Sequence, residues 1–380
     1  GALDAPWSAS ATSMLTESYH SWQIDTLALA EATGNQPLSS LGMFLFRASG
    51  LVERFSFDPQ RLATFFLVIE EGYDDAVSYH NRAHAASVLH AMHAVLQSSG
   101  LAKRVEPAFA WGGDASRNEA LLKVACLVAA AVHDYEHKGL TNDFLVNSAD
   151  ERALAYNDQH VNEHHHLAAA FAVLQRPECN FMAGLPAADA RRVRGLVIEL
   201  VLGSDMSVHS SVVDAFQCAC GGAFGGATPG GATPSVAQEA DEATFAPNTA
   251  EEALLFMKVV FKCCDLGHLT LDWDLHVRWV CRLEQEFFSQ GDKEKELGFE
   301  HISFLMDREK QGALETQAGF YDFVVLPLFG ALAGALPAAR DLLARAAANR
   351  RRWAEIDGEP TAKAEAISAL RARLGMPKNQ

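Results

Sequence analysis

Hydrophobic residues recur every three or four positions along most of this chain. This period of 3.6 residues is typical of one face of an α-helix. No clear run alternates polar and apolar residues, as a half-buried strand would. The pattern therefore predicts an all-α fold. The clearest runs are Leu62-x-x-Phe65-Phe66-x-x-Ile69, Leu121-x-x-Val124-x-x-Leu127-Val128, Leu167-x-x-x-Phe171-x-x-Leu174 and Val277-x-x-Val280-x-x-Leu283.

Several polar side chains interrupt these apolar runs. One run ends abruptly in the pair His133 and Asp134, and Asp265 follows another. His80 and His84 are four residues apart, so on a helix they share one face about one turn apart. Neutral imidazoles and carboxylates together are typical ligands of Zn²⁺. We therefore expect a metal site formed by His84, His133, Asp134 and Asp265.

A second ion would extend this site. Asp134 has two carboxylate oxygens and can bridge to another metal, and an ion that keeps several waters is typically Mg²⁺ or Mn²⁺. Two ions that share a water are a common arrangement for hydrolysing phosphate esters. His80, with an ordinary pKa near ~6.5 and one turn from His84, is the candidate general acid.

Composition narrows the class of protein. The 380 residues are 49% hydrophobic, which fits a globular protein rather than a disordered one. The net charge of −17 argues against nucleic-acid or anionic-membrane partners, and bound metal would supply the positive charge that a phosphate needs. Seven irregularly spaced cysteines indicate reduced thiols in the cytoplasm. Among them, Cys263 and Cys264 are expected to pack in the core rather than bind metal.

The organisation predicted is one catalytic domain over 1–380, with a core of about 15–356 and a peripheral tail over 357–380. Residues 221–234 are mostly Gly, Ala, Thr and Pro and predict a flexible surface insertion, although a linker between two domains has the same composition. The apolar stretch 323–339 is shorter than the ~20 residues of a membrane span, so we expect a buried helix and no membrane insertion. The chain starts with Gly rather than Met, and we expect regulatory domains to lie outside it.

From roughly Leu15 to Trp353 the chain resembles the class I cyclic nucleotide phosphodiesterase catalytic domain, a compact multi-helix fold of the HD type. The motif residues are closest to those of the dual-specificity, calcium/calmodulin-stimulated branch, although no basic calmodulin-target helix is evident. Three positions depart from the family pattern, namely Ser87, His164 and Ser204. The motifs are Tyr79-His80-Asn81-x-x-His84-Ala85, His133-Asp134-x-x-His137-x-Gly139-x-x-Asn142-x-Phe144, Tyr156-Asn157-Asp158 through Glu163-x-His165-His166, Asp205-Met206, Asp265-Leu266 and Gln317-x-Gly319-Phe320.

The resemblance assigns roles to further residues. It implies that His80 donates a proton to the leaving 3′ oxygen, and that Glu163 and His137 support this acid and the waters around the metals. It also implies a purine clamp, and positions that help to select the purine. The substrate-binding residues implied in this way are Gln317, Phe320, Leu283, Met206, His268 and His276.

The function implied is metal-dependent hydrolysis of the 3′ phosphoester bond of cyclic nucleotides to 5′-nucleoside monophosphates. His268 and His276 stand where strict cAMP enzymes have Asn and Tyr, which favours hydrolysis of both cAMP and cGMP. A cAMP-only enzyme and a phosphohydrolase of another nucleotide are alternatives from the same class. A catalytically silent domain that binds cyclic nucleotide is an alternative from a different class.

Overall fold

The computed structural model describes residues 7–221, 245–310, 312–357 and 360–376. All regular secondary structure in these ranges is helical, which confirms the all-α prediction. Apart from residue 221, the predicted insertion at 221–234 lies outside the described residues. So do residues 358, 359 and 377–380 of the predicted tail.

The chain divides into two compact units. Residues 1–212 and 247–265 form the first unit, and 213–246 and 266–380 form the second. The single-domain organisation stays a prediction. The helices of the first unit are α1 (Ala9–Ser18), α2 (Thr26–Ala32), α3 (Pro37–Ala48), α4 (Leu51–Phe55), α5 (Pro59–Glu71), α6 (Arg82–Ser99), α7 (Leu101–Phe109), α8 (Ala115–Val132), α9 (Asn142–Asn147), α10 (Glu151–Tyr156), α11 (Val161–Gln175), α12 (Ala187–Leu202) and α14 (Ala250–Asp265).

Helix α13 (His209–Ala219) contains residues of both units. The helices of the second unit are α15 (Trp273–Glu296), α16 (Ala313–Phe320), α17 (Leu326–Ala335), α18 (Arg340–Ile356) and α19 (Pro360–Arg373). A π-helical turn, Tyr321–Val325, joins α16 to α17. Short 3₁₀ helices are Met206–Val208, Leu266–Thr270, Phe304–Met306 and Pro337–Ala339.

Helix α8 is the central helix of the first unit. Its residues from Leu121 to Val132 are buried on almost every side, as expected of a helix that is apolar all round. It packs against α6 and α12, and α6 packs in turn against α14. Each fully buried Val or Leu in such a helix contributes about 1.5–3 kcal/mol, so the ends of α8 are held firmly in place.

Three helix termini of the first unit carry the expected metal ligands. His84 lies in the first turn of α6, which begins where the side chain of Asn81 accepts hydrogen bonds from the amides of Ala83 (3.0 Å) and His84 (3.4 Å). His133 caps the C-terminus of α8, and Asp265 is the last residue of α14. Packing of these helices therefore brings residues together that are far apart in sequence.

One helical segment of the second unit is long and apolar. Among the described residues, Ala313–Ala335 reaches 23 residues and satisfies the length and hydropathy of a membrane span, and the bent pair Ala187–Leu202 with Met206–Ala219 does so jointly. A core helix of a soluble domain has the same properties, and Leu328, Phe329 and Leu332 are fully buried. This composition is therefore weak evidence for a membrane segment.

Candidate active site

Four side chains of the first unit direct their donor atoms at one common position. His84 Nε2 lies 3.4 Å from Asp134 Oδ2 and 3.3 Å from Asp265 Oδ1. His133 Nε2 lies 3.0 Å and 3.4 Å from the same two oxygens. These are the four residues expected to bind metal, and one donor atom of each lies within 4.8 Å of all the others.

The donor set fits a divalent ion. Ligands that bind one ion in tetrahedral geometry with bonds of about 2.0–2.2 Å are themselves separated by roughly 3.3–3.6 Å, close to the distances found here. Nδ1 of His133 lies 3.0 Å from the carbonyl oxygen of Ala130. When Nδ1 carries the proton and donates to this carbonyl, the lone pair of Nε2 points at the common position. Two nitrogens and two carboxylate oxygens suit Zn²⁺ and also Mn²⁺.

The pKa values of these groups show that the cluster attracts positive charge. Burial by itself lowers the pKa of His133, but the carboxylates of Asp134 and Asp265 outweigh it and raise that pKa well above its usual value. Burial likewise acts to raise the pKa of Asp134, but the neighbouring His133 and His80 lower it well below the usual range. A cation at the common position would balance the negative charge of the two carboxylates in the same way as a protonated histidine.

The other oxygen of Asp134 faces a second group of histidines. Asp134 Oδ1 lies 3.7 Å from His166 Nε2, and His137 also offers a nitrogen nearby. His166 Nδ1 faces the carbonyl of Tyr135 at 2.6 Å, and Nε2 is buried with no hydrogen-bond partner in the part of the chain that the structure describes. Burial lowers the pKa of His166 well below its usual value, so a neutral ring directs a lone pair towards a carboxylate. An ion or an ordered water between the two groups would interact favourably with both His166 Nε2 and Asp134 Oδ1.

His80 and His137 stack on each other beside the ligands. Their ring centroids are 4.1 Å apart with an angle of 30° between the planes, and His80 lies 5.6 Å from the ring of His84. The amide of Gly139 donates to Nδ1 of His137 at 2.9 Å, so the neutral ring carries its proton on Nε2. The two candidate proton-handling histidines are thus adjacent.

Glu163 belongs to a third group of ligand-type residues, with His160 and Asp205. Asn142 Nδ2 donates to Glu163 Oε2 at 3.0 Å, and His160 Nδ1 lies 2.6 Å from Asp205 Oδ2. Burial, followed by the negative charge of Asp205, raises the pKa of Glu163 to about 7. Glu163 therefore exchanges a proton near neutral pH in this environment.

Two residues of the first unit were not predicted from the sequence. His166 stands in the sequence analysis only as the last residue of a family motif, and Lys262 belongs to none of the motifs. Lys262 is buried on α14 and donates to the carbonyls of Ser204 (3.1 Å) and Asp205 (2.9 Å), which fixes the turn before Met206. Met206 itself is 48% exposed. A lysine within an apolar helical run is the only sequence signal for this anchor.

Gln317 of the second unit has the features of a binding side chain. It lies on α16 and is buried, and its Nε2 donates to the Ala313 carbonyl at 3.0 Å. Its Oε1 is buried and has no hydrogen-bond partner among the described residues. An unpaired buried acceptor costs about 1–3 kcal/mol, so a ligand that donates to it would relieve that cost. Phe320, one turn later on α16, is partly exposed, as is Leu283 on the neighbouring α15.

His268 and His276 are buried in the second unit, with ring centroids 5.7 Å apart. Trp353 Nε1 donates to His276 Nε2 at 2.8 Å. Burial lowers the pKa of His276 to about 3, so this ring is neutral at physiological pH. Trp353 holds the ring of His276 in place, a contact between α15 and α18 that sequence spacing does not reveal.

An all-helical unit with a mixed histidine and aspartate centre is the architecture of a metal-dependent hydrolase. The chain belongs to the 3′,5′-cyclic nucleotide phosphodiesterase family, whose model matches residues 79–346. It is 35% identical over 327 residues to the dual specificity calcium/calmodulin-dependent 3′,5′-cyclic nucleotide phosphodiesterase 1 of Drosophila melanogaster, covering 85% of this chain. It is 34% identical over 313 residues to the 1C enzyme of Mus musculus, covering 82%.

Solved structures with the same fold include the phosphodiesterase domain of a RhoPDE fusion protein from the choanoflagellate Salpingoeca rosetta. The TM-score is 0.74 at 26% identity, with 91% of this chain and 98% of that chain covered. The chain spans 34% and 39% of the lengths of the Drosophila and mouse relatives. The family and fold predictions are therefore confirmed.

Proposed function

We propose that this chain hydrolyses the 3′ phosphoester bond of cAMP and cGMP to give 5′-nucleoside monophosphates, with divalent metal required. The observation that carries this proposal is the convergence of His84, His133, Asp134 and Asp265 in a chain of the phosphodiesterase family. The dual-specificity relatives support the choice of both nucleotides.

These four side chains would hold one ion, and Asp134 Oδ1 would share a second. Zn²⁺ suits the first position and Mg²⁺ or Mn²⁺ the second. Bound divalent ions neutralise phosphate charge and make water more acidic, which favours attack on phosphorus. The surrounding residues orient the imidazoles, as the Ala130 carbonyl does for His133.

Proton transfer is the task of His80 in this proposal. Water oxygen bonds to phosphorus as the bond from phosphorus to O3′ breaks, and the departing O3′ needs a proton. His80 would donate it, with His137 stacked against the ring to restrain its orientation. Glu163, with a pKa of about 7, can accept a proton released by water at the same pH. The family resemblance implies the same role for His80, and supporting roles for Glu163 and His137.

Recognition of the base would use the second unit. Gln317 Oε1 would accept from the N6 amino group of adenine, and the amide turned over would complement the N1 and O6 edge of guanine. Leu283 and Phe320 would contact the faces of the purine. The substrate contact expected of Met206 stays a prediction. His268 and His276 would bias the orientation of the amide, which makes their environment the determinant of nucleotide preference.

The proposal also covers the compartment and the partners expected from the sequence. One catalytic domain would operate in the cytoplasm on a small-molecule substrate, without nucleic-acid or membrane partners. Regulatory domains would lie outside this chain. The acidic composition and the reduced thiols support these assignments.

Product identity tests the proposal against its alternatives. Incubation of the protein with cAMP and, separately, with cGMP in water enriched in ¹⁸O should give 5′-AMP and 5′-GMP with one label in the phosphate, and no 3′-monophosphate. Binding of cAMP or cGMP without product would favour the silent binding domain. Turnover of cAMP alone would favour the cAMP-only enzyme.

A further inference from the structure

We propose that helix α19 positions helix α16, and with it Gln317, through a buried ion pair between Arg371 and Glu284. The proposal rests on the proposed function, since Gln317 is its base-recognition residue. Glu284 lies on α15 with 2% of its surface exposed. One carboxylate oxygen, Oε1, accepts from the amide of Leu314 at 3.1 Å, and the other, Oε2, accepts from Arg371 Nη2.

Glu284 supplies the N-terminal cap that α16 lacks in its own sequence. The capping position is Gly312, which has no side chain to accept a hydrogen bond. A Cβ at Gly312 would lie 2.2 Å from Glu284 Oε1, so only glycine lets the carboxylate approach this closely. An anion at a helix N-terminus both satisfies an otherwise unpaired amide and complements the helix dipole. The carboxylate thereby fixes the turn that leads to Gln317, three residues after Leu314.

Arg371 makes this buried anion tolerable. The residue is only 9% exposed, and Ile367 and Leu370 of the same helix are buried with it. Helix α19 packs against both α16 and α18. Removal of one partner from a buried pair leaves an uncompensated charge, which costs far more than the loss of an exposed pair. Without Arg371, the carboxylate would have to attract water or move away from α16.

The same helix provides a matched control. Arg373 also pairs with a carboxylate of α15, Asp274, but both side chains are more than half exposed. The experiment compares Arg371→Met with Arg373→Met in the full chain, with KM and kcat for cAMP and the amide exchange rate of Leu314 as readouts. A third variant, Glu284→Gln with Arg371→Met, removes both charges and keeps an oxygen that accepts from Leu314.

We expect Arg371→Met to raise KM by about three- to thirtyfold with kcat nearly unchanged, and to accelerate exchange at Leu314. Arg373→Met should change neither, and the double variant should recover most of the loss. A lower Tm for Arg371→Met with unchanged KM and unchanged exchange at Leu314 would overturn the proposal, as would a double variant no better than the single one. If the unmutated chain does not hydrolyse cyclic nucleotides, the proposed function fails while exchange at Leu314 still tests the link from α19 to α16.

Discussion

The Nε2 atoms of His84 and His133 face each other at 3.3 Å. Lone pairs in this position repel unless a proton or a cation lies between them, and two aspartate oxygens approach the same point. Both rings are almost fully buried, so solvent cannot relieve the repulsion. This relationship is the basis for assigning a metal centre to the chain.

Metal should therefore stabilise the protein. We expect addition of Zn²⁺ or Mn²⁺ to the chelated protein to raise Tm by roughly 5–10 °C, because the ions bind the folded state alone. Asp265→Asn should abolish most of this shift. His90→Gln is the control, since His90 is not one of the four proposed ligands and its Nε2 contacts the Ser18 carbonyl, and it should lower the starting Tm while keeping the response. An equal shift in Asp265→Asn would remove that residue from the metal site.

Loss of His80 should separate metal binding from chemistry. We expect His80→Ala to retain its metal, measured by elemental analysis, and to lose about 10²–10⁴ in kcat, the usual contribution of a general acid. His164→Ala is the control, because His164 is only partly buried and stacks on Tyr156 away from the ligands. An unchanged kcat in His80→Ala would contradict its role as proton donor.

Replacement of Gln317 by an apolar residue should weaken nucleotide binding without lowering the stability of the protein. Since Oε1 of Gln317 is buried and unpaired, Gln317→Leu should leave Tm unchanged or slightly raised while KM for the nucleotide rises about tenfold or more. The matched variant Gln290→Leu should lower Tm, because the Gln290 amide donates to Glu294 at 2.8 Å. A KM for Gln317→Leu equal to that of the unmutated protein, for both nucleotides, would exclude it from base recognition.

Glu70 should make stability depend on pH independently of the metal centre. Burial raises the pKa of Glu70 to about 7, despite hydrogen bonds from Ser39 and the amide of Leu38. The folded state therefore binds a proton that the unfolded state loses near pH 4.5, and stability falls as pH rises from about 4.5 through 7. Glu70→Gln should remove this slope, worth at most roughly 3 kcal/mol. If the free energy of unfolding changed with pH equally in the unmutated protein and in Glu70→Gln from pH 5 to 8, this role of Glu70 would be disproved.

The sequence predicts the helical fold, which is confirmed, and the four proposed metal ligands, for different reasons. Apolar period alone indicates helices, because it reflects which face each helix buries. Residue chemistry indicated His84, His133, Asp134 and Asp265, because imidazole and carboxylate groups at the ends of apolar runs have few structural uses. The cores around α8 followed the same pattern, and Cys263 and Cys264 are buried as expected.

Contacts between segments that are distant in the sequence could not be predicted from the sequence. Lys262, the bond from Trp353 to His276, and the pair of Glu284 with Arg371 each join elements whose relative positions depend on packing. Residue type alone does not identify the partner of a buried charged side chain, because that partner depends on how the chain folds. His166 is intermediate, since it belongs to a family motif but its orientation towards Asp134 depends on α11.

The central claim is tested most directly by assaying cAMP and cGMP side by side with the purified chain, in Mg²⁺ and again after chelation. The account predicts that both nucleotides release 5′-monophosphate, that chelation stops both reactions, and that restored metal revives both. Turnover that survives complete chelation, or nucleotide binding with no product under any metal condition, would contradict it.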